Sequence, residues 1–477
     1  MRLPALAVVG LGVLACFNAC GSSDKKKVER EEAGAGGDAP EGAAGRPEAG
    51  ASPSAGEGGT TGNAGESSGG TDSAMAGAGG DESPPVTGPV TVDGVVGARN
   101  EQPIAGITVV IQGESVVTGA DGRFHIEAIA PYDIVVSGDS IGGDLYYEAY
   151  LGVTRPDPKI YRRFVEEDRS GGAEGTISGG EGFPQPTDHV THVTFGGPVL
   201  ATFSNTLLAT SDGTYVSSGD PTWLNTDTLT GRLFAIQVDN ATQALTGIGS
   251  NAFTLVDGES TTGGDVAMLT PLMHDFTLNL GAPSGLAINS AMVGFSGYNQ
   301  TRMTPDEQEV FSLPGEIPDE IGVAVVVSAG TFPGGTSGST HLLPGDATSL
   351  DIELLAPPTI TSPDETTAQI DEDTPLSYTR PAGTVAALNF SYVNGDAETG
   401  FGTFIIVYTD DATVTMKRLE AANVPMAPGD MDWSVSADGD AATLDALLAP
   451  DEDRWPVGLM STSAERSLFN GQALPLP

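Results

Sequence analysis

Cysteine is almost absent from this chain of 477 residues, in which Cys16 and Cys20 are the only two. Both stand close to the N-terminus, so they cannot cross-link a folded domain further along the chain. An intramolecular disulfide framework, the usual support of small secreted domains, is therefore excluded. The stability of any folded part has to come from buried apolar side chains.

Positive charge is also scarce. The chain has 20 Lys and Arg residues against 64 Asp and Glu residues, a formal net charge of −44. Such a surface repels polyanions, so we expect no nucleic-acid partner and no attraction to anionic lipid headgroups. Beyond the N-terminal segment, Lys159 and Lys417 are the only lysines, which leaves few candidates for lysine-based catalysis.

Helical patterns are rare, and strand patterns dominate. One short helix is predicted within residues 441–448, and Thr304-Pro305-Asp306-Glu307 has the residue order of a helix start. From Pro89 onward, short runs rich in Val, Ile, Thr, Phe and Tyr alternate with Gly, Pro, Asp and Asn clusters. The predicted fold class is all-β, with several immunoglobulin-like or prealbumin-like β-sandwich modules in tandem behind a disordered N-terminal stalk.

Changes in composition divide the chain into a leader, a tether and four β units. Residues 20–89 are rich in Gly, Ala, Ser and Glu and cannot bury a core, so a disordered tether is predicted there, spanning on the order of 45 Å. The predicted segments are a signal peptide (1–19), the tether (20–89), and a first (90–168), second (169–263), third (264–356) and fourth (357–477) unit.

The apolar run LPALAVVGLGVLACF after Arg2 is typical of a secretory signal and short for a membrane span. Val13-Leu14-Ala15-Cys16 and Phe17-Asn18-Ala19-Cys20 both resemble the lipobox of bacterial lipoproteins. This resemblance implies acylation of Cys20 or of Cys16; the alternative is a cleaved signal without lipid. The implied location is the bacterial cell envelope, with a lipid anchor in the outer membrane or at the cell surface.

The first unit carries the strongest strand signals. Phe124, Ile126 and Ala128 alternate with polar residues, which predicts a strand with one buried face. Asp121-Gly122 stands between two strand-like runs and predicts a hairpin turn.

A longer stretch of this unit resembles the carboxypeptidase regulatory-like domain, a prealbumin-like β-sandwich. The matching pieces are Gly94-Val95-Val96, residues 103–111, residues 118–124 and residues 132–137. The resemblance implies a non-catalytic accessory or adhesive module on an exported protein. None of the five histidines is followed by Glu three residues later, so the catalytic zinc motif is missing. The fourth unit, with Trp433, is weakly similar to immunoglobulin-like or fibronectin-like sandwiches.

Few residues suggest a metal site, and no catalytic residue is predicted. His189 and His192 lie in a strand-like run, where a spacing of three places them on opposite faces. Short acidic loops with Asp371, Asp373, Asp438 and Asp440 are weak candidates for Ca²⁺, the only cofactor considered; the alternative is a set of exposed acidic turns. The G-x-S-x-G order of residues 138–142 lacks a following helix and favours a turn.

Aromatic residues are the other candidates for a binding surface. In a β-sandwich most aromatic side chains pack in the core, but a carbohydrate-stacking platform is the alternative. The candidates are Trp223, Trp433, Trp455, Tyr146, Tyr147 and Tyr150.

Two functions remain open from the sequence. The favoured one is a lipid-anchored envelope display protein without enzyme activity, acting as adhesin, binding module or structural spacer. Its partners are the membrane, through the lipid, and a cell-surface polysaccharide or protein. The alternative is a secreted hydrolase that acts on glycan or peptide through acidic residues.

Metabolic labelling with a radioactive fatty acid tests the anchor. We expect the full-length chain to be labelled, and either C16S or C20S to abolish the label while the other variant keeps it, because one thiol carries the lipid. An unlabelled wild-type chain would indicate an ordinary cleaved signal.

Overall fold

Strands make up almost all of the regular structure, and the predicted all-β fold class is confirmed. The structure is a computed structural model that describes residues 87–98, 102–137, 140–141, 144–162, 169–196, 207–217, 221–295, 298–315, 317, 322–330, 335–363, 371–393, 402–426, 430–449 and 458–470. These residues belong to one compact unit of the chain. No helix among them is long and apolar enough to cross a membrane.

The first unit is a two-layer sandwich. One layer has the order β4-β1-β8 and the other contains β3-β2-β5-β7, with β6 on β7. In β4 the buried side chains of Phe124, Ile126 and Ala128 alternate with exposed ones, as predicted. The strands are β1 (Gly88–Ala98), β2 (Thr108–Ile111), β3 (Glu114–Val117), β4 (Arg123–Ala130), β5 (Tyr132–Val136), β6 (Ser140–Ile141), β7 (Asp144–Val153) and β8 (Lys159–Arg162).

The hairpin predicted at Asp121-Gly122 was wrong, although a tight turn is there. The strands on either side do not pair, since β3 pairs with β2 and β4 pairs with β1. Gly122 has a φ of 69°, and a Cβ at this position would lie 2.4 Å from the Val96 carbonyl oxygen. Because β3 and β4 belong to different layers, the chain crosses from one layer to the other at this turn. Both strands direct apolar side chains into the same core.

The second unit packs four-stranded sheets of order β13-β10-β17, with β18 on β10, and β12-β11-β15-β16. β18 follows residue 264, where the third unit was predicted to begin, yet it pairs with β10. The strands are β9 (Arg169–Ser170), β10 (Gly172–Gly179), β11 (His189–Gly196), β12 (Leu207–Leu208), β13 (Thr214–Val216), β14 (Thr222–Trp223), β15 (Thr228–Asp239), β16 (Leu245–Val256), β17 (Ser260–Thr261) and β18 (Val266–Met268).

The third unit combines the sheet β22-β19-β25 with the run β21-β20-β23-β24. The helix start predicted at Thr304 was wrong. Thr304 has a φ of 49°, whereas an N-cap residue is extended, and the chain turns there from β21 into β22. The strands are β19 (Met273–Gly281), β20 (Ile288–Phe295), β21 (Tyr298–Met303), β22 (Gln308–Pro314), β23 (Val323–Gly330), β24 (Thr336–Leu343) and β25 (Ser349–Glu353).

The fourth unit adds the sheet β26-β27-β30 and the run β29-β28-β31-β32. Two short helices lie among its described residues. Leu444–Leu447 falls within the predicted helix, and Met416–Ala421, which was not predicted, starts where the Thr415 hydroxyl accepts from the Arg418 N–H. The strands are β26 (Thr359–Ser362), β27 (Pro375–Thr379), β28 (Val385–Val393), β29 (Gly402–Thr409), β30 (Thr413–Thr415), β31 (Asp430–Asp438) and β32 (Gly458–Asn470).

One sheet of thirteen strands runs through the first, fourth and third units. β7 pairs in parallel with β29, from Leu145 opposite Thr403 to Leu151 opposite Thr409. β32 of the fourth unit pairs with β24 of the third. We call the β7–β29 pair the seam. The boundaries of the four units stay predictions. The first and fourth units, however, are joined by backbone hydrogen bonds between β7 and β29.

Both faces of the seam are buried over part of its length. Tyr150 and Tyr408 point into the core of the first unit. Ala149 and Val407 point into the core of the fourth unit, together with Trp433. Each face of this parallel pair buries apolar side chains in a different core. One strand of the first unit, β7, therefore stabilises two cores.

A substitution at Ala149, which is fully buried, tests this double support. We expect A149F to overpack the fourth-unit core and to lower the free energy of unfolding by about 1–3 kcal/mol. Hydrogen exchange measured by mass spectrometry should then accelerate in β28 and β29 as well as in β7. The matched control is A267F, on an exposed position of β18. Acceleration confined to the first unit would contradict a shared core.

Candidate functional site

Charged side chains connect the first and fourth units beside the seam. The Arg418 guanidinium forms a two-pronged ion pair with the carboxylate of Asp133 on β5, and these hydrogen bonds raise the pKa of Arg418. The Asp445 carboxylate, from the helix Leu444–Leu447, accepts from the backbone N–H groups of Thr154 at 2.9 Å and Arg155 at 3.3 Å. These bonds hold the loop after β7 and the strand β5 to the two helices.

An ion pair is enclosed within the first unit itself. Glu148 on β7 and Arg162 on β8 are 2% and 0% exposed, and Arg162 Nε lies 4.0 Å from Glu148 Oε1. The Tyr150 hydroxyl donates to Glu148 Oε2 at 2.9 Å. The guanidinium also donates to the carbonyl oxygens of Ser137 and Tyr146. Because β7 and β8 belong to opposite layers, this pair ties the two layers together at one end of the sandwich.

Two stacked ring pairs follow the seam on the same face as Glu148. Tyr150 and Tyr408 stack with ring centroids 5.0 Å apart, and Tyr146 and Phe404 stack at 5.1 Å. The parallel register places each ring directly opposite its partner. The first pair is buried, whereas Phe404 is 36% exposed and Tyr146 is half-buried. Burial, and then the charge of Asp144, raise the pKa of Tyr146. The outer pair marks where the core ends and an open surface begins.

Uncharged polar residues extend this surface across the next two strands. Ser391 on β28 stands opposite Phe404, Asn389 stands opposite Ile406, and Ser434 on β31 stands opposite Asn389. Residues directly opposite each other in a sheet share one face. We call this surface the aromatic–polar face. Its residues are Tyr146, Phe404, Ile406, Asn389, Ser391 and Ser434, all partly exposed.

The predicted acidic residues form local turns. The Asp371 carboxylate accepts from the Thr374 hydroxyl at 2.6 Å, which lowers the pKa of Asp371, and Asp373 lies 3.7 Å from Lys417. Asp438 is buried and accepts from the Asp440 N–H at 3.0 Å. Among the described residues no three His, Cys, Asp or Glu side chains are grouped closely enough to hold a metal ion. A calcium site stays a prediction.

The other predicted site residues are aromatic side chains of the core, histidines of one strand, and residues that the structure does not describe. Trp223 and Trp433 are fully or almost fully buried, as favoured for sandwich aromatics, and so is Tyr150. The run with His189 and His192 forms β11, as predicted. Cys16, Cys20 and Trp455 lie outside the described residues, and of residues 138–142 only the short strand β6 is described.

Sequence reasoning missed the Glu148–Arg162 pair and the pairing of Tyr146 with Phe404. One signal for the first was present, since Glu148 is the one charged residue in the otherwise apolar part of β7, residues 145–153. A charge in such a run is rarely buried without a partner, so it points to a distant cation. No local pattern could indicate that Tyr146 pairs with Phe404, because the two residues are about 260 positions apart in the chain.

Comparisons with known proteins give only distant similarities. No family model and no curated protein matches the chain. Among solved structures, it is similar to the major pilin subunit of Bacillus cereus, with 9% identity over 56% of this chain and 99% of that one, at a TM-score of 0.14. The pilus adhesin SpaC of Lactobacillus rhamnosus GG has 10% identity over 68% of this chain and 43% of the adhesin, at 0.13. The Bacillus anthracis TIE protein has 6% identity over 82% of this chain and 67% of that protein, at a TM-score of 0.14. These scores are too low to support an inference about function.

Removal of the Glu148 carboxylate tests the enclosed pair. We expect E148A to lower the free energy of unfolding by about 3–5 kcal/mol, because it leaves the Arg162 guanidinium charged and buried without its counter-ion. Urea unfolding followed by circular dichroism measures this loss. The control E127A, at an exposed position of β4, should change stability by no more than about 0.5 kcal/mol. Equal effects of the two variants would show that the pair has no special role.

Proposed function

We propose that this chain is a non-catalytic display protein of the bacterial cell envelope, acting as an adhesin, binding module or structural spacer. The observation that carries the proposal is how three buried or half-buried carboxylates near the seam are used. Glu148 is bonded to Tyr150 and paired with Arg162, Asp133 is paired with Arg418, and Asp445 holds backbone N–H groups. In a hydrolase, by contrast, perturbed carboxylates converge on a cleft.

The use of these carboxylates favours a mechanical role. Each of the three carboxylates bonds across two layers or two units, so these charged groups stiffen the frame. A stiff frame suits a protein that presents a surface at a distance from the membrane. The predicted tether of residues 20–89 would supply that distance, and a lipid on Cys20 or Cys16 would supply the attachment.

The resemblance of the first unit to the carboxypeptidase regulatory-like domain supports the same proposal. The matching residues fall in a two-layer β-sandwich, the architecture that the resemblance implies. The partners in the proposal are the membrane, through the lipid, and a cell-surface polysaccharide or protein. The proposal needs no cofactor, and Ca²⁺ at the acidic turns around Asp371 and Asp438 stays a prediction from the sequence.

Surface display tests the proposal on cells that express the full-length chain. We expect an antibody to label intact cells, and the chain to fractionate with membranes until detergent is added. The double variant with C16S and C20S is the matched control and should leave the membrane fraction, because it has no thiol to acylate. Retention in the cytoplasm would contradict the proposal.

An activity assay on the same purified chain separates display from catalysis. Incubation with peptidoglycan, polysaccharides and unfolded protein should release no product, whether Ca²⁺ or a chelator is present. Release of sugar or peptide that depends on the chain would overturn the non-catalytic assignment. Binding that is saturable and lost with the chelator would support calcium at the acidic turns, and binding unchanged by the chelator would count against it.

A further inference from the structure

We propose that the aromatic–polar face binds an uncharged polysaccharide. This inference rests on the proposed function and gives it a ligand class. It starts from the exposure of Phe404, whose strand β29 lies between β7 and β28 and is not an edge of the sheet. An aromatic side chain on such a central strand normally packs beneath a second layer, yet Phe404 is 36% exposed.

The arrangement around Phe404 leaves part of its ring available. One face of the ring stacks on Tyr146, with an angle of 14° between the ring planes. On the other side its neighbour across β28 is Ser391, whose side chain is too short to cover an aromatic ring. The stack with Tyr146 fixes the orientation of Phe404, so little conformational entropy is lost when a ligand packs against it.

The polar residues beside the ring match the hydroxyl groups of a sugar. A pyranose has apolar C–H faces, which pack on aromatic rings, and a rim of hydroxyls that donate and accept hydrogen bonds. Asn389, Ser391 and Ser434 bring two hydroxyls and one amide oxygen to the face that carries Phe404. The Asn389 amide nitrogen donates to the Ala387 carbonyl and to the Ser436 hydroxyl, both at 3.2 Å, which holds the amide in place.

Charge decides which polysaccharide fits. None of the six residues of the aromatic–polar face is ionised at neutral pH, whereas the whole chain has a net charge of −44. The nearby Asp144 carboxylate accepts from the Gly402 N–H at 2.6 Å and adds negative charge at the border of the face. An acidic polysaccharide would be repelled by this charge, and an uncharged one would not.

Affinity electrophoresis of the purified full-length chain tests the inference. The gels contain dextran, laminarin, galactomannan or, as an acidic counterpart, alginate. We expect at least one uncharged polysaccharide to retard the wild-type chain and alginate to have no effect. F404A should weaken the retardation at least about tenfold in dissociation constant. S391K should weaken it similarly, because a long charged side chain then lies against the free side of the ring while the stack with Tyr146 remains.

The control variant is L272A, which removes an exposed apolar side chain of the third unit. It should bind like the wild type, and circular dichroism should show all three variants folded. Retardation that F404A and S391K leave unchanged would overturn the inference, and so would retardation by alginate alone or by none of the four. These results would not affect the proposed function, because antibody labelling of intact cells and the absence of turnover test that separately.

Discussion

The parallel pairing of β7 with β29 is the interaction on which the rest of the structure depends. It joins strands that are about 250 residues apart in the chain and lets two cores share one sheet. Its register brings Tyr146 opposite Phe404 and Tyr150 opposite Tyr408. A parallel pair cannot be closed by a short turn, so the whole intervening chain has to fold around it.

The few cations of this acidic chain stabilise that arrangement. Arg162 bridges the two layers of the first unit through Glu148, and Arg418 joins the first unit to the fourth through Asp133. Buried or half-buried pairs of this kind add little net stability over apolar packing, but removal of one partner is costly. Each pair joins two layers or two units of the fold, so its partners meet only when the strands have this arrangement, which is also the one that forms the aromatic–polar face.

Local sequence patterns predicted where strands and helices lie better than which strands pair with each other. The alternation in β4 and the helix near Leu444 were confirmed. The errors at Gly122 and Thr304 have a common cause, because a turn dipeptide or a capping pattern describes only four or five residues. At Gly122 both flanking strands exist, but burial of their apolar faces on the same core places them in different layers. At Thr304 the pairing of β21 and β22 with separate strands imposes a left-handed residue instead of a helix start.

The sequence by itself determined the all-β class, the acidic surface and the absence of disulfide support, because these follow from composition and from a period of two residues. Only the tertiary structure decided that the first and fourth units share a sheet, that Glu148 meets Arg162, and that Phe404 remains exposed. The physical reason is that the pairing of distant strands depends on burial of both faces and on closure of a long loop. No short stretch of residues encodes either of these.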